Sequence, residues 1–210
     1  KLGQLGDPRA ISPLVDQAVI NSVTQTITPT GWRDNDLEVG RAALRALGDI
    51  GDPSAARPLV EAVLRDKVHD NLDTLGQTLA RIGENEAIGL LTAKIMSGNH
   101  EYSDYDPHKE DGVMTKKEIQ DRISDKCAQI LVFAGDKGID ILIAALQDQT
   151  ARYRVALVLE YSGTPPMDRL IGLMNNDDMY LRLLVISILS GMARRGIERK
   201  RVLSVLEEAQ

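Results

Sequence analysis

The stretch LGDIGDPSAARPLV at Leu47–Val60 repeats LGQLGDPRAISPLV at Leu2–Val15, with Leu-Gly, Gly-Asp-Pro and Pro-Leu-Val at identical offsets 45 residues apart. The shared triplet has a mechanical reading. Gly6 and Gly51 can take the left-handed conformation that closes a helix, Asp7 and Asp52 can cap the next one, and Pro8 and Pro53 fit its first turn, where a missing N–H costs nothing. After the joint, Ala56, Leu59, Val60, Val63 and Leu64 recur at helical steps, and before it Val39, Ala43, Leu44, Leu47 and Ile50 do the same. The repeated unit is two helices joined by a tight turn.

The unit recurs along the chain in LARIGENEAIGLL at Leu79–Leu91, LVFAGDKGIDILI at Leu131–Ile143 and LEYSGTPPMDRLI at Leu159–Ile171. The joint glycines Gly6, Gly51, Gly83, Gly135 and Gly163 are separated by 45, 32, 52 and 28 residues. The short separations are the repeat itself, and the long ones require inserts. Two polar stretches supply them, at about residues 22–36 and 97–116. A final pair is expected from YLRLLVISILSGMARRG into ERKRVLSVLEEA, where the joint has decayed. The whole of residues 1–210 reads as one repeat domain, and a start inside the tail of a helix at Lys1 reads as a fragment or a chain truncated at its N-terminus.

Composition narrows the function classes. The chain is 43% hydrophobic but only 3% aromatic, so its core must be built from Leu, Ile, Val and Ala. A net charge of −6 disfavours nucleic acid as the principal partner. No apolar run is long enough to cross a bilayer, no secretory leader is apparent, and a cytoplasmic location is expected. The single Cys127 lies among Ala128, Ile130 and Leu131 and reads as a small core residue rather than a nucleophile. No phosphate loop, Ser-His-Asp set or zinc spacing is present, so no catalytic residue or cofactor is assigned.

The order Gly-Asp-Pro-x-Ala, a Leu-Val or Leu-Ile pair, Asp-x-x-apolar-Arg and Ala-x-x-Ala-Leu-Gly resembles the HEAT-like repeats of the phycobilisome-lyase type. It is clearest at Gly51–Leu64, in DQTARYRVALVL and in DDMYLRLLVISIL. The resemblance implies an all-α fold, a right-handed α-α superhelix of HEAT/armadillo-like solenoid form with about six helix pairs. Asp148 precedes Arg152, and Asp178 precedes Arg182, by four residues, whereas the arginine position holds Gly40, Leu72 and Ser124 earlier. An Asp–Arg ladder is therefore expected only in the last repeats.

The resemblance further implies that the Ala-Leu-Gly helix of each pair lines a concave groove. Aligning those helices on Leu47, Leu79, Leu131, Leu159 and Leu189 turns Arg41, Arg45, Asp73, Gln77, Arg122, Gln129, Phe133, Tyr153, Leu157, Tyr161, Tyr180 and Leu184 toward a partner. The face is polar toward its N-terminal end and apolar toward the other. Four of seven aromatics fall on it, and the rest, Trp32, Tyr102 and Tyr105, fall in the inserts. Such a face fits a noncatalytic scaffold for a protein or peptide, or self-association through its C-terminal apolar part. The alternative is a bilin lyase-like subunit that helps attach chromophore to phycobiliproteins. The second insert gathers His100, Asp104, Asp106 and His108; it is expected to be a solvated acidic loop rather than a metal site, since Lys109 and Thr115 break the calcium-loop pattern. The basic run Arg194, Arg195, Arg199, Lys200 and Arg201 reads as a solvated helix terminus.

Overall fold

A computed structural model describes residues 7–20, 34–83, 85–97, 116–149, 151–161 and 166–208. The joints Gly6 and Gly163, and nearly all of the two inserts, including His100, Asp104, Asp106 and His108, lie outside the described residues. Eleven α-helices and no strand are found among those described. They are α1 (Ile11–Ile20), α2 (Asp34–Ile50), α3 (Ala56–Leu64), α4 (Leu72–Ile82), α5 (Asn85–Met96), α6 (Lys116–Phe133), α7 (Gly135–Ala145), α8 (Arg152–Tyr161), α9 (Met167–Gly172), α10 (Met179–Arg194) and α11 (Arg199–Glu208).

The joints behave as their chemistry requires. Gly51, Gly83 and Gly135 have φ values of 70, 72 and 74°, in the region where only glycine is unstrained. Asp52 accepts from the Ser54 backbone N–H at 2.9 Å, and Asp7 from that of Arg9 at 3.0 Å. Pro8 and Pro53 each open a short 3-10 turn before the α-helix proper. The last joint, which has no Gly-Asp-Pro, still turns on a glycine: Gly196 has a φ of 83°.

Helices α2, α4, α6, α8 and α10 pack side by side in sequence as one row, and α1, α3, α5 and α7 stack as a second row against it. The alignment leucines Leu47, Leu79, Leu131, Leu159 and Leu189 are each at most 1% exposed, at the same position of successive helices in the first row. Full burial of one such side chain is worth about 1.5–3 kcal/mol. Val39 departs from the expected stripe and is exposed, because the buried face of α2 runs through Gly40, Ala43, Leu44, Leu47 and Gly48. Close helix approach is marked at Gly76, where a Cβ would run into the Ile130 carbonyl and lie 2.7 Å from Phe133 Cβ.

Polar side chains tie repeats together at offsets near one repeat. Arg57 on α3 meets Glu86 on α5 at 3.3 Å, Arg169 on α9 reaches Asp136 and Asp140 on α7, and Arg201 on α11 meets Asp168 on α9. In the first row, Asp49 pairs with Arg81 at 3.0 Å, and Arg154 with Asp121 and Asp125 at 2.7 and 2.8 Å. The expected ladder takes a different route. Arg152 is nearly buried and lies 3.6 Å from Asp178 of the following repeat, while Arg182 donates to the Asn176 and Asp177 carbonyls. Where arginine is missing earlier, Lys126 and Arg122 on α6 reach back to Asp66 in the α3–α4 turn.

Candidate functional site

The first-row face opposite the core changes character between α4 and α8. On α2 and α4, Arg45, Asp73 and Gln77 are exposed. Arg41 is engaged within the fold: it donates to Glu38 at 2.8 Å and to Asn71 Oδ1 at 3.2 Å. Asn71 in turn donates to the Leu37 carbonyl at 3.1 Å and adopts a left-handed conformation that asparagine tolerates.

Arg122 likewise turns inward, to Asp66, rather than standing free on the face. Beside it, Lys126 Nζ donates to Asp66 at 2.8 Å and to the Val68 carbonyl at 2.6 Å, and lies 3.0 Å from His69 Nδ1. Burial pushes the Asp66 carboxyl up, but the bonds from Lys126 and Arg122 outweigh it and hold the group below the usual carboxylate range. Burial and the Lys126 ammonium lower the His69 pKa, which favours a neutral ring.

Toward the C-terminal end, polar partners give way to rings and aliphatic chains. Tyr153, Leu157 and Tyr161, four residues apart on α8, are 59, 56 and 67% exposed. On adjacent α10, Tyr180 and Leu183 are 67 and 56% exposed. An i, i+4, i+8 spacing puts the first three along one side of their helix, and an i, i+3 spacing does the same for the second pair. Two residues assigned to this face are less available than expected. Phe133 is half-buried against α4 beside Gly76, and Leu184 packs against the core while its neighbour Leu183 takes the outward position. Gln129, one turn before Phe133 on α6, is exposed.

The face has a charged border. The Arg195 guanidinium lies 4.5 Å from the centroid of the Tyr161 ring, so a cation sits on the last aromatic of the α8 stripe. Arg194, exposed, continues the outward side of α10 at helical spacing from Tyr180, Leu183 and Ser187. Sequence reasoning treated these arginines as a solvated helix end, because they lie beyond the aligned part of the repeat; only the packing of α8 on α10 brings Arg195 to Tyr161.

Other chemistry is sparse among the described residues. Cys127 is fully buried, and desolvation pushes its thiol up to about 12, which removes it as a nucleophile. No group of three His, Cys, Asp or Glu side chains there could hold a metal ion. No described helix is long and apolar enough to cross a membrane.

A family model described as PBS lyase HEAT-like repeat matches residues 39–65, which span most of α2, the Gly51 joint and all of α3. The chain therefore carries a HEAT-like repeat, and its two-row helical stack is of that type. No curated protein matches it.

Proposed function

We propose that the chain is a noncatalytic scaffold that binds a protein or peptide across the α8–α10 face, with the cytoplasm as its place of work. One observation carries this reading. Five large apolar side chains, each more than half exposed, lie together on two neighbouring helices of a chain whose other aligned first-row positions are polar or half-buried. Burying such a patch favours association, and tyrosine is a frequent anchor of binding energy.

A photocrosslinking residue placed at Leu157, and separately at Gln77, tests the reading in an extract of the source cells. Position 157 should give discrete adducts that Leu183→Asp abolishes, and position 77 should give none. Equal adducts from both positions, or adducts indifferent to Leu183→Asp, would refute it. Light scattering of the purified chain separates a foreign partner from self-association through the same face.

The family match, together with the aromatic stripe, favours one second reading, a bilin lyase-like helper on this face. Under it, free bilin would change its absorption on adding the protein, and Tyr161→Ala with Tyr180→Ala would remove the change.

A further inference from the structure

The inference concerns what kind of partner fits the α8–α10 face, and it rests on the docking reading above. Nearly everywhere else in the described residues, arginine side chains are engaged within the fold: Arg9, Arg41, Arg57, Arg65, Arg81, Arg122, Arg152, Arg154, Arg169 and Arg201 all have carboxylate partners. At the C-terminal end of the face this neutralisation stops. Arg194, Arg195, Arg199 and Lys200 are exposed and have no carboxylate partner among the described residues. Unmatched positive charge is thus gathered at one border of the apolar patch, in a chain of net charge −6.

Helix-end electrostatics account for Arg194 and Arg195 but not for Arg199 and Lys200. Arg194 lies in the last turn of α10 and Arg195 at its C-cap, where the helix dipole welcomes a positive charge. Arg199 and Lys200 occupy the first turn of α11, where the dipole opposes a positive charge, and only their neighbour Arg201 is matched by carboxylates, those of Asp168 and Glu198. Arg199 and Lys200 therefore break a local rule without a carboxylate partner among the described residues, and an external anion would supply one.

We infer that the partner is an amphipathic segment with carboxylates at one end. Its apolar side covers Tyr153, Leu157, Tyr161, Tyr180 and Leu183, and its acidic end lies over Arg194, Arg195 and the start of α11. Arg195 joins the two halves of the surface, because its guanidinium lies over the Tyr161 ring and has no carboxylate partner among the described residues. The exposed charges also give the surface a polarity: Asp177 stands at the opposite end of the face from Arg194 and Arg195.

Two labelled amphipathic helical peptides of about 16 residues test this, identical on their apolar side and carrying at one end either three Glu or three Lys. Fluorescence anisotropy at physiological salt should show the Glu peptide binding at least about tenfold more tightly. Arg199→Glu with Lys200→Glu should invert the preference while leaving Tm unchanged or raised, since those substitutions suit the first turn of a helix. Equal binding of the two peptides, or tighter binding of the Lys peptide, would overturn the acidic assignment and leave the apolar face standing. Failure of both to bind, or binding unaffected by Leu183→Asp, would overturn the face itself. Equal affinity for a 20-nucleotide oligothymidylate would overturn the peptide assignment in favour of a general polyanion surface.

Discussion

The first-row face of α2 and α4 and that of α8 and α10 are built from the same repeat yet end in opposite surface chemistries. At the α2–α4 junction, polar side chains meet partners one repeat away: Arg41 and Asn71, Asp49 and Arg81, and Thr78 with the Leu44 carbonyl at 3.0 Å. At the α8–α10 junction the corresponding outward positions carry Tyr153, Leu157, Tyr161 and Leu183, all more than half exposed. The difference teaches that the same buried leucine ladder is compatible with quite different outward surfaces. The outward positions hold neighbouring repeats together in one region and stand exposed and apolar in the other.

The comparison breaks most visibly if the C-terminal rings are core. Leu159→Ala, beneath the stripe, should cost about 2–5 kcal/mol in chemical denaturation, whereas Tyr161→Ala, two residues away, should cost about 1 kcal/mol or less. Equal losses would mean that the tyrosine is structural and the supposed surface is an interior.

A smaller effect sharpens the other side of the contrast. Lys126→Met removes the ammonium that holds the α3–α4 turn, and should cost about 1.5–3 kcal/mol, the scale of hydrogen bonds to a charged group. The pH dependence follows from Asp66. Its folded pKa is depressed, so the stability it adds is present above the unfolded carboxylate value and is lost as pH falls through the folded value. The gap in Tm between the parent and Asp66→Asn should therefore be steady near neutrality and close below about pH 4. A gap that widened in acid would contradict the assignment.

The smallest change tests the border between surface and solvent. Arg195→Ala should lower stability by about 0.5–1 kcal/mol, the size of an exposed cation–π contact, and the loss should vanish in a Tyr161→Leu background. A loss that persists there would show that Arg195 acts through something other than the ring.

Much of the fold was legible because its signals are local. Gly51, Asp52 and Pro53 announce a joint within three residues, and leucines at a fixed offset announce the core. Outward positions were legible where helical spacing is uninterrupted, as in Tyr153, Leu157 and Tyr161. They were not where a neighbouring helix decides the outcome. Phe133 is drawn half inside because Gly76 lets α6 come close, and nothing near Phe133 in the sequence says so. Arg122 and Lys126 were equally opaque, since their partner Asp66 lies more than fifty residues away in the chain. The role of Arg195 depends on a contact with the preceding repeat that no local pattern encodes.

Gly76 has a mechanical consequence. At the α4–α6 junction the obstacle to a side chain is the Ile130 carbonyl, so two backbones meet with no cushion between them, and this joint of the stack is stiff. At the α8–α10 junction the equivalent close approach, at Gly191, is filled only by the Glu160 side chain, which can swing on its own torsions. The two junctions are therefore expected to resist a change of helix spacing unequally. The softer of the two contacts lies beneath the apolar face, so the spacing of α8 and α10 is less tightly set than that of α4 and α6.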